Sequence, residues 1–242
     1  MALRVDEVGF GGLKLLQDTE AFCYGVDSVL AADMCRVKRS DRVLDLCSGN
    51  GAIALIVSGL YAPDHVTGLE ILPGAVDLAV RSAELNGLSE KLDFICGDAA
   101  RIEDHVKAGS FDAVVCNPPY FEKSRGEGCE VTEKDFARHE SSAGLADFFR
   151  AAAYALRTGG NFYLVHRPQR LADIMQCARN SGLEPKQLRM VCPHPGDAPN
   201  LLLLKCVKGG GPELTVLPSL AVRNREGGFT EEIERIYRRV PE

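Results

Sequence analysis

Residues 43–55 have the sequence VLDLCSGNGAIAL, which is the clearest indication of the fold class in this chain. Its apolar beginning predicts a short buried strand, its Gly-x-Gly centre a tight turn, and its apolar end a helix. The glycines at 49 and 51 allow positive φ and let a ligand approach the backbone. The free amides of the first helical turn point to the same place. A dinucleotide-binding turn would look similar, so the stretch alone predicts an α/β fold with a ligand at this turn.

Acidic side chains lie in or at the ends of three successive predicted strands. Asp45 lies within the first strand, Glu70 ends the second (residues 65–69), and Asp98 follows the third (residues 92–96). Glu70 stands where a carboxylate can accept both hydroxyls of a ribose, although a solvated strand end is the alternative. Asp98 can either cap the next helix or accept from an adenine amine. Ligands of open α/β sheets bind along this edge, so the acids predict one shared site.

The tetrapeptide Asn117-Pro118-Pro119-Tyr120 follows a fourth apolar strand, residues 111–116. Each proline fixes its own φ and removes a backbone donor, so the strand is expected to end in a stiff corner. The side-chain oxygen of Asn117 and the carbonyl of Pro118 should then be free to accept from a planar amino group. The Tyr120 ring can stack on the flat system that carries this amine. A proline-capped strand end with Asn as a turn former is the structural alternative.

Together these residues resemble the class I S-adenosylmethionine-dependent methyltransferases. Within that class they resemble the branch that uses Asn-Pro-Pro-Tyr to methylate amino groups of adenine, guanine or glutamine. The resemblance covers about residues 13–207. It implies a Rossmann-like α/β fold with a seven-stranded, mostly parallel sheet, an antiparallel last strand and helices on both faces. It also implies S-adenosyl-L-methionine as the cofactor.

The resemblance assigns roles to the matching residues. Glu70 would bind the ribose of the cofactor, Asp98 and Ala99 its adenine, and Ile71 belongs to the same site. The turn would hold the methionine part through Asp45, Cys47, Ser48, Gly49, Asn50 and Gly51.

The catalytic corner that the resemblance implies is Asn117, Pro118, Pro119 and Tyr120. Asn117 and Pro118 would hold the target amine, and Tyr120 would stack on its base. Asn117 would also border the cofactor.

The segment 121–146 is long for a connection inside a domain, which predicts a lid or a substrate contact. Its Ala-Arg-His-Glu run, residues 137–140, is similar to the same family. Arg138 and His139 are expected to bind substrate or to order this loop. Neither is needed as a base, because methyl transfer to an aniline-type nitrogen can proceed by polarisation and positioning.

The amino-terminal segment narrows the resemblance. Residues 13–18 (LKLLQD) and 22–30 (FCYGVDSVL) are similar to the entry segment of the bacterial tRNA(Val) adenine-N6 methyltransferase family. This similarity implies that Gln17 and Tyr24 close over the cofactor. From the residues alone, Tyr24 is also a core candidate, and Asp27 or Ser28 is a candidate cap for a helix over residues 29–35.

Composition agrees with one main domain. The chain has 242 residues, 45% of them hydrophobic, and shows neither a signal peptide nor an apolar run that could span a bilayer, so a soluble cytoplasmic protein is expected. Its nine cysteines form no C-x-x-C pair and its histidines show no ligand spacing, so no disulfide and no metal site are expected. The predicted organisation is a cofactor-closing segment (1–40), a methyltransferase domain (41–207) containing a substrate or lid loop (121–146), and a C-terminal extension (208–242).

Charge is distributed unevenly along the chain. The net charge of −6 does not suggest a nucleic-acid partner. Residues 150–210, however, carry nine Lys and Arg against three Asp and Glu, whereas residues 1–149 carry 14 against 25. The basic segment either supplies phosphate contacts for an RNA or forms the solvated faces of helices. Its apolar patterns predict helices at 146–156 and 168–180, strands at 161–165, 188–192 and 201–207, and an extended stretch at 214–222.

These observations predict an adenine-N6 methyltransferase that acts on structured RNA, specifically tRNA at the purine beside the anticodon. A base splayed out of its stack would reach the corner. The alternatives are a glutamine methyltransferase acting on a translation protein, a guanine-N2 rRNA methyltransferase, and a binding module that kept the fold without catalysis. The oligomeric state is left open between a monomer and a weak dimer.

Overall fold

The computed structural model describes residues 2–8, 11–21, 23–120 and 143–238. Most of the predicted lid loop, including Arg138 and His139, lies outside these ranges. No helix within them is both long and apolar enough to cross a membrane.

The described chain forms ten strands and six helices. The strands are Leu3–Glu7 (β1), Lys14–Asp18 (β2), Arg42–Leu46 (β3), His65–Glu70 (β4), Leu92–Cys96 (β5), Phe111–Cys116 (β6), Leu156–His166 (β7), Leu183–Cys192 (β8), Leu201–Lys208 (β9) and Thr215–Ala221 (β10). The helices are Val26–Met34 (α1), Ala52–Tyr61 (α2), Pro73–Leu85 (α3), Leu145–Ala155 (α4), Leu171–Asn180 (α5) and Glu231–Tyr237 (α6). Short 3-10 segments occupy Ala99–Asp104 and Pro168–Arg170.

Eight strands form one sheet in the order β10-β8-β9-β7-β6-β3-β4-β5. β9 is antiparallel to both of its neighbours, and all other pairs in this sheet are parallel. The mostly parallel α/β sheet with an antiparallel strand is therefore confirmed. The strand number is eight and not seven, because β10 of the C-terminal extension pairs with β8 at the edge. The extended conformation expected for residues 214–222 is confirmed, and the partner of this strand is β8.

Helices cover both faces of this sheet, as expected. Neighbouring residues of β3 face opposite sides, because side chains alternate along a strand: Val43 joins one buried cluster and Leu44 the other. The first cluster includes buried residues of α1, α2 and α6. The second includes Phe149 of α4 and Ile174 of α5. Nearly every residue of α2 is buried, which explains why its sequence is apolar all round.

The amino-terminal hairpin of β1 and β2 forms its own two-stranded antiparallel sheet. It is attached to α3 by side chains: Leu16 N donates to Ser82 Oγ at 3.0 Å, and the backbone of Lys14 exchanges two hydrogen bonds with the amide of Asn86. Helix α1 then starts one residue after its N-cap, Gly25. The expectation that Asp27 or Ser28 caps this helix is therefore wrong, since both residues lie inside the first turn.

Two strands near the C-terminal end are longer than the sequence predicted. β7 begins at Leu156 and not at Asn161, because a bulge absorbs the glycine pair, with Gly159 at φ +79°. β8 begins at Leu183 and includes Pro185, next to which the pairing with β9 shifts register. A proline is tolerated in a strand at such an irregularity. Both differences arise because glycine and proline were taken as breaks where the sheet accommodates them as bulges.

Candidate active site

The carboxyl ends of the parallel strands bring the predicted site residues to one edge of the sheet. Along that edge the order β5-β4-β3-β6 places Asp98, Glu70, Asp45 and Asn117 in sequence. Glu70 is the last residue of β4, Asn117 comes directly after β6, and Asp98 lies two residues beyond β5. The sheet therefore gathers four residues that are widely separated in the chain.

The turn after β3 has the left-handed backbone that its glycines suggested. Positive φ occurs at Cys47 (+65°), Gly49 (+54°) and Gly51 (+81°). A Cβ on Gly49 would meet nothing within 4 Å, so this backbone is open to a ligand. A Cβ on Gly51 would approach Phe94 Cζ at 2.9 Å and Ala79 Cβ at 3.0 Å. Glycine at 51 therefore also has a packing reason, since a side chain there would collide with Phe94 and Ala79.

Asp45 is fully buried in β3 below this turn. Its Oδ2 accepts from the amide of Ala54 at 3.0 Å, whereas Oδ1 has no hydrogen-bond partner among the described residues. Burial raises the pKa of Asp45 to about 7, and the nearby charge of Glu70 adds to the shift. The hydroxyl of Ser48 is also buried and unpartnered within the described ranges. Unsatisfied buried polar atoms indicate a missing partner, which a bound ligand can supply.

Glu70 is held rigidly at the end of β4. It is only 8% exposed, and its Oε2 accepts from the amide of Gly49 at 2.9 Å. Its Oε1 accepts from the amide of Leu72 at 3.0 Å. The interpretation of Glu70 as a solvated strand end is therefore wrong. Since each carboxylate oxygen can accept more than one hydrogen bond, both oxygens keep capacity for ribose hydroxyls.

Asp98 caps the 3-10 segment that follows β5. Its Oδ1 accepts from the amide of Ala100 at 2.9 Å, which confirms the capping interpretation. Ala99 is buried beside it, and the carbonyl of Ile71 accepts from Cys96 Sγ at 3.7 Å. The connections after β4 and β5 therefore lie side by side, where an adenine ring would have to fit.

Gln17 links the amino-terminal segment to the glycine turn. Its side chain is 1% exposed, and Oε1 accepts from the amide of Tyr24 at 2.9 Å and from Asn50 Nδ2 at 3.4 Å. Its Nε2 donates to Asp6 of β1. The predicted closing segment therefore reaches the turn through a buried amide.

The tetrapeptide after β6 contacts helix α1. Asn117 Nδ2 donates to Asp27 Oδ2 at 3.2 Å, and the hydroxyl of Tyr120 lies 3.2 Å from the same oxygen. The Tyr120 hydroxyl also donates to Asn117 Oδ1. The side-chain oxygen of Asn117, expected to be free, is therefore engaged by its own neighbour in the motif. Burial and the carboxylate of Asp27 raise the pKa of Tyr120, so its hydroxyl stays protonated.

Two further residues at this corner were missed from the sequence. The His166 ring meets the Tyr120 ring edge to face, with centroids 5.4 Å apart. The Arg167 guanidinium carbon lies 5.0 Å from the Tyr120 ring centroid, and Arg167 Nη1 donates to the Asn200 carbonyl at 3.0 Å. His166 ends β7, beside β6. The strand-end pattern that identified Asn117 would have found both residues if it had been applied to β7.

The residues present fit S-adenosyl-L-methionine. Asp45 Oδ1 and Ser48 Oγ are unpartnered polar atoms suited to the charged methionine end, and Gly49 leaves open space above the turn. The anchored carboxylate of Glu70 suits a ribose diol. In the described part of the chain, no group of three or more His, Cys, Asp or Glu could hold a metal ion. The cysteines described there are free.

Several sequence relatives carry the name of one enzyme. The tRNA1(Val) (adenine(37)-N6)-methyltransferase of Mannheimia succiniciproducens is 29% identical over 239 residues, covering 95% of this chain and 91% of that protein. The protein of the same name from Parabacteroides distasonis is 27% identical and covers 93% and 90%.

Solved structures share the fold. A predicted O-methyltransferase from Agrobacterium tumefaciens superimposes with a TM-score of 0.73 at 23% identity, covering 89% of this chain and 98% of that one. The geranyl diphosphate C-methyltransferase of Streptomyces coelicolor A3(2), in complex with S-adenosyl-L-homocysteine, gives a TM-score of 0.57 at 12% identity, covering 76% and 80%.

The sequence profile of the methyltransferase small domain matches residues 15–178, from the second residue of β2 to Ala178 near the end of α5. The matched region contains Asp45, Glu70, Asp98 and the tetrapeptide corner. S-Adenosyl-L-methionine is the cofactor. The chain belongs to the methyltransferase small domain family and is an S-adenosylmethionine-dependent methyltransferase.

Proposed function

We propose that this protein methylates N6 of adenine in tRNA, at the purine beside the anticodon. The observation that carries the proposal is the Asn-Pro-Pro-Tyr corner, which stands at the end of β6 next to the strand that holds Asp45. The names of the relatives, which align over more than nine-tenths of the chain, support adenine in tRNA as the acceptor. Such a substrate would place the reaction in the cytoplasm.

The corner supplies positioning and polarisation. Asn117 Oδ1 and the Pro118 carbonyl accept from the target amine, which orients the nitrogen lone pair. The ring of Tyr120 stacks on the flipped base. S-Adenosyl-L-methionine, when bound, supplies an electrophilic methyl group on a sulfonium. The proposal requires no base at the amine, because the nitrogen can lose its proton after attack.

The edge that carries the corner also carries cationic side chains without acidic partners. Within the described ranges Arg167, Arg223 and Arg225 form no ion pair, and all three follow strands that end at this edge, β7 and β10. The amide of Arg223 donates to the Pro193 carbonyl at 2.9 Å, which ties the segment after β10 to the end of β8. Arginines without carboxylate partners along this edge suit the phosphates of an RNA.

Most other arginines already have carboxylate partners. These are Arg4, Arg36, Arg81, Arg101, Arg150, Arg157, Arg170, Arg179, Arg189 and Arg238. Five of them belong to the basic segment 150–210, so much of its charge is neutralised locally. This pattern favours solvated, paired surfaces for most of that segment and leaves Arg167 as its arginine without a carboxylate partner among the described residues and a candidate RNA contact.

Nucleoside mass spectrometry of total tRNA from a deletion strain and its parent tests the proposal. The deletion should abolish one N6-methyladenosine, and the wild-type gene should restore it. Asn117→Ala should fail to restore it while the purified variant still binds S-adenosylmethionine. Asn180→Ala, at the exposed end of α5, is the matched control and should restore methylation.

Other outcomes have definite meanings. Unchanged tRNA in the deletion strain would overturn the proposal and direct the search to N2-methylguanine in rRNA, then to methylglutamine in translation proteins. Near-normal turnover of Asn117→Ala would remove the corner from the mechanism. Absence of cofactor binding in the wild type would indicate a binding module without catalysis.

A further inference from the structure

Asp27 lies beside the catalytic corner, which its place in the sequence did not suggest. It lies in the first turn of α1, and its Oδ2 is within 3.2 Å of both Asn117 Nδ2 and the Tyr120 hydroxyl. These partners lie 90 and 93 residues further along the chain. One carboxylate oxygen thus joins the amino-terminal segment to both polar side chains of the catalytic corner.

The carboxylate is itself held in place. Asp27 Oδ1 accepts from the amide of Ser28 at 2.9 Å, which leaves Oδ2 directed at the corner. A Cβ on Gly25 would lie 2.9 Å from Asp27 Oδ1, so a larger residue there would require this carboxylate to shift. The hydrogen bond from the Ser28 amide therefore helps to hold the carboxylate beside Asn117.

This contact sets the orientation of the Asn117 amide. An asparagine side chain has a donor end and an acceptor end, and either can point towards the substrate. An ionised carboxylate only accepts, so Asp27 pairs with Nδ2 and turns Oδ1 the other way. Oδ1 is the atom that the target amine needs.

Asp27 also gives the phenol of Tyr120 a second acceptor. The hydroxyl has one proton, and in this structure it lies within reach of both Asn117 Oδ1 and Asp27 Oδ2. An arriving amine can take the place of the phenol at Asn117 Oδ1. The phenol can then donate to Asp27, so no buried donor is left unpaired.

We propose that Asp27 is a positioning residue for methyl transfer, which presents Asn117 Oδ1 to the target amine and receives the Tyr120 hydroxyl when the amine binds. This inference rests on the proposed function, in which Asn117 accepts from the amine. Asp27 acts through Asn117 and Tyr120 and makes no contact with the reacting atoms.

Three variants test the assignment with purified full-length protein. Asp27→Ala should lower kcat on tRNA at least tenfold while the Kd for S-adenosylmethionine stays within twofold of wild type. Asp27→Asn keeps an acceptor oxygen and should recover at least a third of the wild-type kcat. Asp33→Asn, on the same helix and paired with Arg36, is the control and should behave as wild type.

A readout without substrate separates this inference from the proposed function. In a ¹⁵N-labelled protein the side-chain amide signal of Asn117, identified by its absence in Asn117→Ala, should shift in Asp27→Ala and not in Asp33→Asn. A second outcome is that the signal shifts in Asp27→Ala while the wild-type protein fails to methylate tRNA. That result would support the link between Asp27 and the corner, and it would refute only the proposal that tRNA is the substrate.

Two results would overturn the assignment. One is a kcat of Asp27→Ala within twofold of wild type, together with an unmoved Asn117 signal. The other is a parallel loss of cofactor affinity and thermal stability that Asp27→Asn does not repair, because that pattern describes a residue needed only for folding.

Discussion

The backbone amide of Gly49 donates to Glu70 Oε2 at 2.9 Å, which joins the glycine turn to the end of the neighbouring strand. The second oxygen of Glu70 accepts from the amide of Leu72. One carboxylate therefore shapes two connections at the edge of the sheet before any ligand binds. The glycine turn, which is proposed to hold the methionine end of the cofactor, and Glu70, the proposed ribose acceptor, are therefore coupled. A substitution in either should affect both.

Replacement of Glu70 should weaken cofactor binding and the fold together. Glu70→Ala leaves two backbone amides without their charged acceptor, which costs about 1–3 kcal/mol of unfolding free energy for each buried unsatisfied group. The Kd for S-adenosylmethionine should rise about 10- to 100-fold, as expected for a lost charge-assisted hydrogen bond. Calorimetric titration and urea unfolding measure the two effects. Exposed Glu90→Gln should change neither, and a Glu70→Ala protein with wild-type affinity would exclude Glu70 from the site.

Asp45 should make stability depend on pH. Its pKa is raised to about 7 by burial, above the roughly 3.9 of an unfolded aspartate. The folded state therefore binds the proton more tightly, so this carboxyl lowers the unfolding free energy as pH rises from about 4 to 7 and adds no further change above 7. Asp45→Asn should remove that slope, a relative difference of roughly 2–4 kcal/mol between pH 4 and pH 8. The assignment would be contradicted if the unfolding free energies of wild type and Asp45→Asn, measured by urea unfolding, differed by the same amount at every pH.

Cofactor affinity should have the opposite pH dependence from stability. Only the ionised carboxylate of Asp45 attracts the ammonium group of the methionine end, and ionisation in the free protein is complete only above a pH of about 7. Affinity for S-adenosylmethionine should therefore rise with pH, by up to about tenfold per unit below pH 7, and then level off. Asp45→Asn should bind weakly at every pH. Titrations between pH 5.5 and 8 decide this, and a flat wild-type profile would contradict it.

The two glycines of the turn should respond differently to alanine. Gly51→Ala places a Cβ against Phe94 and Ala79 at positive φ, so it should destabilise the fold by about 2–4 kcal/mol. The new methyl group of Gly49→Ala meets open space, so the fold loses only the roughly 1–2 kcal/mol that an alanine at positive φ costs. Its main effect should be on cofactor affinity, because the new methyl group enters the ligand space. Denaturant unfolding and calorimetry separate the two, and equal stability losses would refute the distinction.

The unpaired arginines should control RNA affinity and its salt dependence. We expect weaker tRNA binding from each of three variants, Arg167→Ala, Arg223→Ala and Arg225→Ala. Each should also reduce the slope of the logarithm of the tRNA association constant against the logarithm of the salt concentration by about 0.7–0.9. Arg179, which pairs with Glu184 at 2.9 Å near the opposite edge of the sheet, provides the control. Arg179→Ala should leave the slope unchanged. Fluorescence anisotropy at several salt concentrations measures it, and equal effects of all four variants would argue for unspecific attraction.

Local patterns in the chain were sufficient to locate much of the site. An apolar strand followed by Gly-x-Gly predicted the turn at 49–51, and a polar residue at each strand end predicted Glu70, Asp98 and Asn117. These predictions succeeded because parallel strands have to present their carboxyl ends at one edge, whatever the rest of the chain does. The same rule determined which side chains share the edge without any knowledge of distances.

Contacts between distant segments could not be predicted from the sequence and became visible in the folded chain. The sequence places Asp27 90 residues before Asn117 and offered it a role as a helix cap, yet packing of α1 against β6 and β7 brings its carboxylate to the corner. Likewise, residues 214–222 were expected to be extended, but the sequence did not predict that they pair with β8. Strand ends, turns and helices follow from neighbouring residues, whereas sheet edges and side-chain partners depend on burial across the whole core, which no local pattern contains.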